Sequence, residues 1–380
     1  MREKDPAMMT LRIGRLLGIP IYIDVSWFIV FFLVVFVLAA AYFPQASPGL
    51  NHVLYWVAAT ITALMLFASV LLHELMHSFV AKRNNIGISG ITLFIFGGVS
   101  RLKEEPHSPE VELKMALAGP FTSFALAALF GVVLLADRGG VGTLGSKVLE
   151  YLAIVNLILG IFNLLPGFPL DGGRVFRAVL WGVTGSLEKS TQYAAYVGQG
   201  FGYLFILLGF WLILRNNEWL SGGWFIFIGW YLNNAAQQSY QQLVIRRALS
   251  GIDVHRIMTT DFPHIDAGTS IHDFVHDFLL KYDYSAFPVI SDDSLIGIVT
   301  VDEIREVPRA EWERITVGEI VKPPEEERVI DENDDAFEAL MHMAETNSRR
   351  LLVMHDGKLK GMVTQDSIIS IVRTKMRIGM

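Results

Sequence analysis

Apolar and polar positions divide this chain into two unlike parts. Predominantly apolar runs occupy residues 25–43, 53–80, 115–136, 148–165, 193–214 and 219–232. All but the last approach the ~20 residues that a bilayer core requires of a spanning helix. Beyond residue 246 the apolar stretches shorten to strand length and alternate with charged and turn residues. The pattern predicts a polytopic α-helical membrane protein of about six transmembrane helices (1–245), followed by a soluble α/β module with halves at 252–308 and 315–376. The first run follows Arg2, Lys4, Arg12 and Arg15 and contains Ala39-Ala40-Ala41, features shared with cleaved signal peptides. Its length and the five runs behind it favour a retained helix.

Charge sharpens the division. Residues 1–245 hold 15 Lys/Arg and 13 Asp/Glu, whereas residues 246–380 hold 16 and 25, so a near-neutral part at +2 precedes an acidic one at −9. An acidic module lacks the basic face that nucleic-acid binding needs. Cysteine is absent, which excludes disulfides and thiolate metal sites and leaves His and carboxylate as ligands for any zinc. Positive clusters lie at the N-terminus, at Lys82, Arg83, Arg101 and Lys103, at Arg174, Arg177 and Lys189, and at Arg246-Arg247. The alternate loops are poor in them. The positive-inside rule then gives a multi-pass protein of the cell membrane with both termini cytoplasmic.

Within the second run stands His73-Glu74-Leu75-Met76-His77. On a helix, side chains four residues apart leave the same face, so His73 and His77 can share one zinc ion with Glu74 beside it as general base. Residues 53–72 carry no charge, and ionisable groups ending such a segment are costly in hydrocarbon, which marks a functional site over a pair of core histidines. Nine residues separate His73 from Lys82, placing the site roughly 14 Å inside the boundary. A third ligand is needed. Asp171 is the candidate: Pro166 and Pro169 break the helix before it, and non-helical backbone at membrane depth is tolerated only in protein or at a watery cavity. The alternative is a plain Asp-Gly turn.

These residues together resemble the site-2 protease family of intramembrane zinc metalloproteases. The resemblance rests on His73-Glu74-x-x-His77, on Asn163-x-x-Pro166-x-x-Pro169-x-Asp171-Gly172, on Ala118-Gly119-Pro120, on Gly97-Gly98 and on the segment from Ile13 to Trp27. It implies zinc ligation by His73, His77 and Asp171, activation of water by Glu74, and a substrate or oxyanion contact for Asn163. Asn163 could equally make an interhelical hydrogen bond. The substrates implied are transmembrane proteins within the lipid bilayer. The stretch 88–100, rich in β-branched and aromatic residues with glycine breaks, predicts a strand or hairpin whose free edge could pair with an unwound substrate, or else a surface connector.

The C-terminal part repeats at a period of 64 residues: Gly297-Ile-Val-Thr-Val-Asp-Glu-Ile304 returns as Gly361-Met-Val-Thr-Gln-Asp-Ser-Ile368. This is similar to a tandem pair of CBS domains, which implies regulation or homodimerisation, and in some members an adenine nucleotide bound through Thr and Asp. Here the candidates are Thr300, Asp302, Thr364 and Asp366, with Glu303 and Ser367 standing where the family's ribose-binding acid would fall. His272-Asp-Phe-Val-His276 imitates the zinc pattern on a solvated, charged segment and is set aside. The expected function is intramembrane zinc endopeptidase. The rival is a CBS-gated transporter or channel in which His73, Glu74, His77 and Asp171 bind an ion, and a catalytically silent scaffold is a third.

Overall fold

The computed structural model describes residues 10–95, 97–102, 104–137, 142–282, 286–291, 294–322, 329–346, 348–356 and 358–377. The chain forms two compact units that meet at Leu243–Val244 in sequence.

The first unit opens on a hairpin that the hydrophobic runs do not announce. Strands β1 (Thr10–Leu16) and β2 (Ile19–Asp24) pair antiparallel around Leu17 and Gly18, both at positive φ. Asp24 then caps helix α1 (Val25–Val37) by accepting from the Ser26 amide at 2.8 Å. A π turn at Leu38–Tyr42 carries α1 into α2 (Phe43–Ala46). Helix α3 (His52–Arg83) starts at the Asn51 cap and ends on Lys82 and Arg83, cations that suit a helix C-terminus. Strands β3 (Ile88–Phe94) and β4 (Gly97–Leu102) follow as an antiparallel hairpin. The expected hairpin at 88–100 therefore forms.

The two hairpins join because β3 pairs parallel with β2, Ile21 opposite Ile91, giving a sheet of order β1-β2-β3-β4. Its inner face packs on α3: Ile19 and Ile91 meet Leu75, and Leu93 meets Trp27 and Phe67. Lys82 also reaches back to the Leu17 carbonyl at 3.0 Å. Strand β4 has β3 on one side and no strand on the other among the described residues.

Helices α4 (Pro109–Ala136), α5 (Gly142–Asn163), α6 (Asp171–Thr184), α7 (Leu187–Asn216) and α8 (Trp219–Leu249) complete the unit and lead into the next. Five segments among the described residues are long and apolar enough to cross a membrane: Val25–Ala46, α3, α4, α5 and α7. Only 17% of the apolar stretch is buried in α5 and α7, against 39% in α3, so the helix bearing the His-Glu-x-x-His motif is the most enclosed. The sixth expected span, 219–232, is not among the five. It forms the start of α8, which continues to Leu249 because residues 233–249 contain no Gly or Pro to stop it. Gly209 and Gly202 on α7 face the Gly222 and Gly229 carbonyls of α8 so closely that a methyl group would stand 2.5 and 2.8 Å from them. Small residues at such contacts let helix backbones approach without a side chain between them.

The second unit contains two three-stranded sheets. One comprises β5 (Ile265–Asp266), β6 (Ala286–Ser291) and β7 (Ser294–Thr300). The other comprises β8 (Val329–Asp331), β9 (Arg350–His355) and β10 (Lys358–Thr364). Each half takes its opening segment into the other half's core. Val254 and Ile257 pack with Ile330, Leu351 and Val363, whereas Val317 packs with Ile265, Val289 and Val299. Bridges Thr259↔Met362 and Ile298↔Lys322 fix the exchange.

Candidate active site

Helix α3 projects His73 and His77 from one face, and both are 4% exposed. Helix α6 brings its first residue, Asp171, to them: Asp171 Oδ2 lies 3.1 Å from His73 Nε2 and 3.1 Å from His77 Nε2. The break that permits this approach is the segment 164–170. Its Phe168–Pro169 peptide is cis, and its Phe168 amide donates to the Ala194 carbonyl of α7 at 3.2 Å. Gly172 and Gly173 pack directly on that segment, since a Cβ on either would come within 2.3–2.4 Å of its backbone. The three candidates nearly one hundred residues apart in sequence thus meet, with one ligand atom from each lying within 4.8 Å of the others.

The far ring nitrogens are also held. His77 Nδ1 lies 2.7 Å from the Met115 carbonyl, which can only accept, so Nδ1 carries the proton and donates. Nε2 of neutral His77 is then a bare lone pair facing a carboxylate oxygen. Two acceptors at 3.1 Å repel unless a proton or a metal ion lies between them. His73 Nδ1 shares a 2.9 Å hydrogen bond with Ser123 Oγ, which turns its Nε2 toward the same point. Gly119 leaves the space open: a Cβ there would stand 2.1 Å from His77 Nε2 and 2.5 Å from His73 Nε2. Two imidazoles and one carboxylate, with the outer nitrogens fixed by partners, are the donor set and the support that a catalytic zinc uses. The residues fit the metal.

Glu74 is half-buried beside this cluster, under Gly98 of β4. Asn163, the last residue of α5, donates its amide to the Leu159 carbonyl at 3.0 Å within its own helix. That bond uses one of the two hydrogens on Nδ2 and leaves the second for an oxyanion. Ser123, the Met115 carbonyl and a buried pair formed by Glu112 and Arg177 escape the sequence reading. For Ser123 the Ala118-Gly119-Pro120 segment was the signal, since it lies three residues past Pro120.

In the second unit the Thr300 amide donates to Glu303 at 2.8 Å, the Thr300 hydroxyl donates to it as well, and Lys322 Nζ adds a bond at 2.9 Å. Burial opposes ionisation of Glu303, but these bonds outweigh it and hold its carboxyl at about 2. In the second half Thr364 and Ser367 hydrogen-bond each other's backbone amides, and Asp366 is exposed. The Asp302 side chain lies outside the described residues. His272 and His276 lie with ring centroids 4.6 Å apart and their planes tilted by 42° on the solvated segment, without a third ligand among the described residues.

Comparison with known proteins places this arrangement. Residues 61–140 and 142–208 match Peptidase family M50, and residues 254–309 and 317–374 each match the CBS domain. A protein of Synechocystis sp. named as a zinc metalloprotease is 34% identical over 369 residues, covering 96% of both chains. A zinc metalloprotease of Methanocaldococcus jannaschii is 32% identical over 362 residues, covering 95% of both. Among solved structures, a site-2 protease from Methanocaldococcus jannaschii is similar at 30% identity, covering 61% of this chain and 95% of that one with a TM-score of 0.42. The chain belongs to Peptidase family M50, the site-2 proteases. It is a membrane zinc metalloprotease that carries a tandem pair of CBS domains.

Proposed function

We propose that this protein is an intramembrane zinc endopeptidase that hydrolyses peptide bonds within or next to the transmembrane segments of membrane-anchored proteins. The observation that carries the reading is the convergence of His73 Nε2 and His77 Nε2 on Asp171 Oδ2 in the most enclosed helix of an apolar bundle. In this reading His73, His77 and Asp171 hold the zinc. Bound there, zinc supplies Lewis-acid polarisation of the scissile carbonyl and acidifies water toward neutral pH.

Glu74 takes the proton from the attacking water and returns it to the leaving amine. Asn163, through the second hydrogen of its side-chain amide, donates to the developing oxyanion. The open edge of β4 passes over Glu74 at Gly98, so an unwound substrate pairing with that edge would have its backbone delivered beside the base. Both termini face the cytoplasm, where the CBS pair regulates or dimerises the enzyme. Thr300, Asp302, Thr364 and Asp366 remain the residues for an adenine nucleotide, and calorimetry with ATP and with AMP on the full chain tests that role.

The deciding experiment is cleavage of a membrane-anchored reporter by wild type and Glu74→Gln, with zinc measured on both. Loss of cleavage with zinc retained supports the assignment, and an active Glu74→Gln enzyme removes it.

A further inference from the structure

We propose that the buried ion pair between Glu112 of α4 and Arg177 of α6 is the positioning device that holds Asp171 against the two imidazoles. The proposal rests on the reading of Asp171 as a zinc ligand. Glu112 is fully buried and Arg177 is 7% exposed. Arg177 Nε donates to Glu112 Oε1 at 2.6 Å, and Arg177 Nη2 donates to the same oxygen. Arg174 Nε stands 3.9 Å from that oxygen, and Glu105 Oε2 lies 3.5 Å from Arg177 Nη2. The Arg177 guanidinium also sits 5.2 Å from the centroid of the Phe168 ring.

One side chain therefore ties together three parts of the site. Phe168 belongs to the broken segment that delivers Asp171, and Arg177 lies on the short helix that Asp171 begins. Glu112 lies three residues before Met115, whose carbonyl holds His77, on the same helix as Gly119 and Ser123. The helix that orients both histidines is thereby clamped to the helix that supplies the carboxylate.

Stability alone is a poor account of these charges. A buried ion pair gives little net stability over apolar side chains of similar volume, because desolvation offsets the attraction. Glu112 Oε2 moreover has no hydrogen-bond partner among the described residues, which adds to the cost. What the pair does supply is geometry: a guanidinium fork fixes direction and distance in a way that packing of flexible apolar groups does not.

The test replaces both partners at once, Glu112→Leu with Arg177→Met, in full-length protein in nanodiscs. Removing both charges spares the fold, so the melting temperature stays near that of wild type. Zinc affinity, read by competition with a chromophoric chelator, falls about 10- to 100-fold, the range seen when support around metal ligands is lost. KM for the reporter at saturating zinc stays unchanged. Where the double variant does not fold, Arg177→Lys keeps the charge without the fork and shows the same loss. Asp171→Ala is measured alongside: wild-type zinc affinity in it overturns the ligand reading itself. Wild-type affinity in the folded pair variants, with Asp171→Ala weakened, overturns the positioning role alone.

Discussion

Gly98 lies so close over Glu74 that a Cβ built on it would stand 2.4 Å from Glu74 Cγ and 3.2 Å from Glu74 Cδ. The edge strand and Glu74 are thus in direct contact, and the absence of a side chain at 98 is what allows it. Gly98→Ala should push the carboxylate aside by a sizeable fraction of an ångström without touching His73, His77 or Asp171. Misplacement on the scale of 1 Å costs about 10²-fold in rate. The expected outcome is a kcat lowered to that extent with one zinc per chain retained, measured by reporter cleavage and metal analysis on the same sample. Wild-type kcat would remove Gly98 from the site.

Ser123 offers a graded test of metal binding. With Nε2 on zinc, His73 Nδ1 carries the proton and donates to Ser123 Oγ. Ser123→Ala leaves that donor unpaired and frees the ring to turn. Zinc affinity should drop about 10- to 100-fold. Ser123→Thr, which restores the hydroxyl, should recover most of it. Equal affinity in all three proteins would show that the hydrogen bond orients nothing.

Substrate pairing with β4 predicts a distinctive kinetic signature. Proline removes a donor from a strand and is tolerated poorly where that donor is used. A proline scan across 97–102 should contain positions that raise KM for the membrane-anchored reporter while zinc content holds. A scan in which every folded variant keeps its KM leaves the edge without a role in substrate binding.

The CBS module carries its own pH dependence. Folding lowers the Glu303 carboxyl from 4.5 to about 2, so the folded state favours the ionised form. The stabilisation is complete above about pH 4.5 and fades as pH falls toward 2. Glu303→Gln should therefore unfold at lower temperature than wild type near pH 7, with the gap closing below about pH 3. Thermal scans of the full chain in detergent, followed by fluorescence, check it. A gap that is constant across that range would contradict the ion-pair account.

Much of this protein was determined by its residues taken in order. Apolar runs near bilayer length mark the membrane helices, because hydrocarbon allows few alternatives to a self-satisfied backbone. The pair His73 and His77 was legible because helical periodicity alone puts them on one face. Asp171 was legible because two prolines and an acid at membrane depth need an explanation, and the 64-residue repeat exposed the paired domains.

Tertiary structure decided the rest. The parallel pairing of Ile21 with Ile91 joins segments seventy residues apart through backbone hydrogen bonds, which leave no local pattern. The exchange of Val254 and Val317 between the two halves is likewise invisible in the repeat, since each apolar segment could pack on either core. Glu112 reads as an ordinary acid in the first turn of a helix, and only the approach of α6 turns it into the buried partner of Arg177. Local sequence specifies what each segment can form. Which side chain is desolvated, and by whom, depends on neighbours that only the assembled bundle supplies.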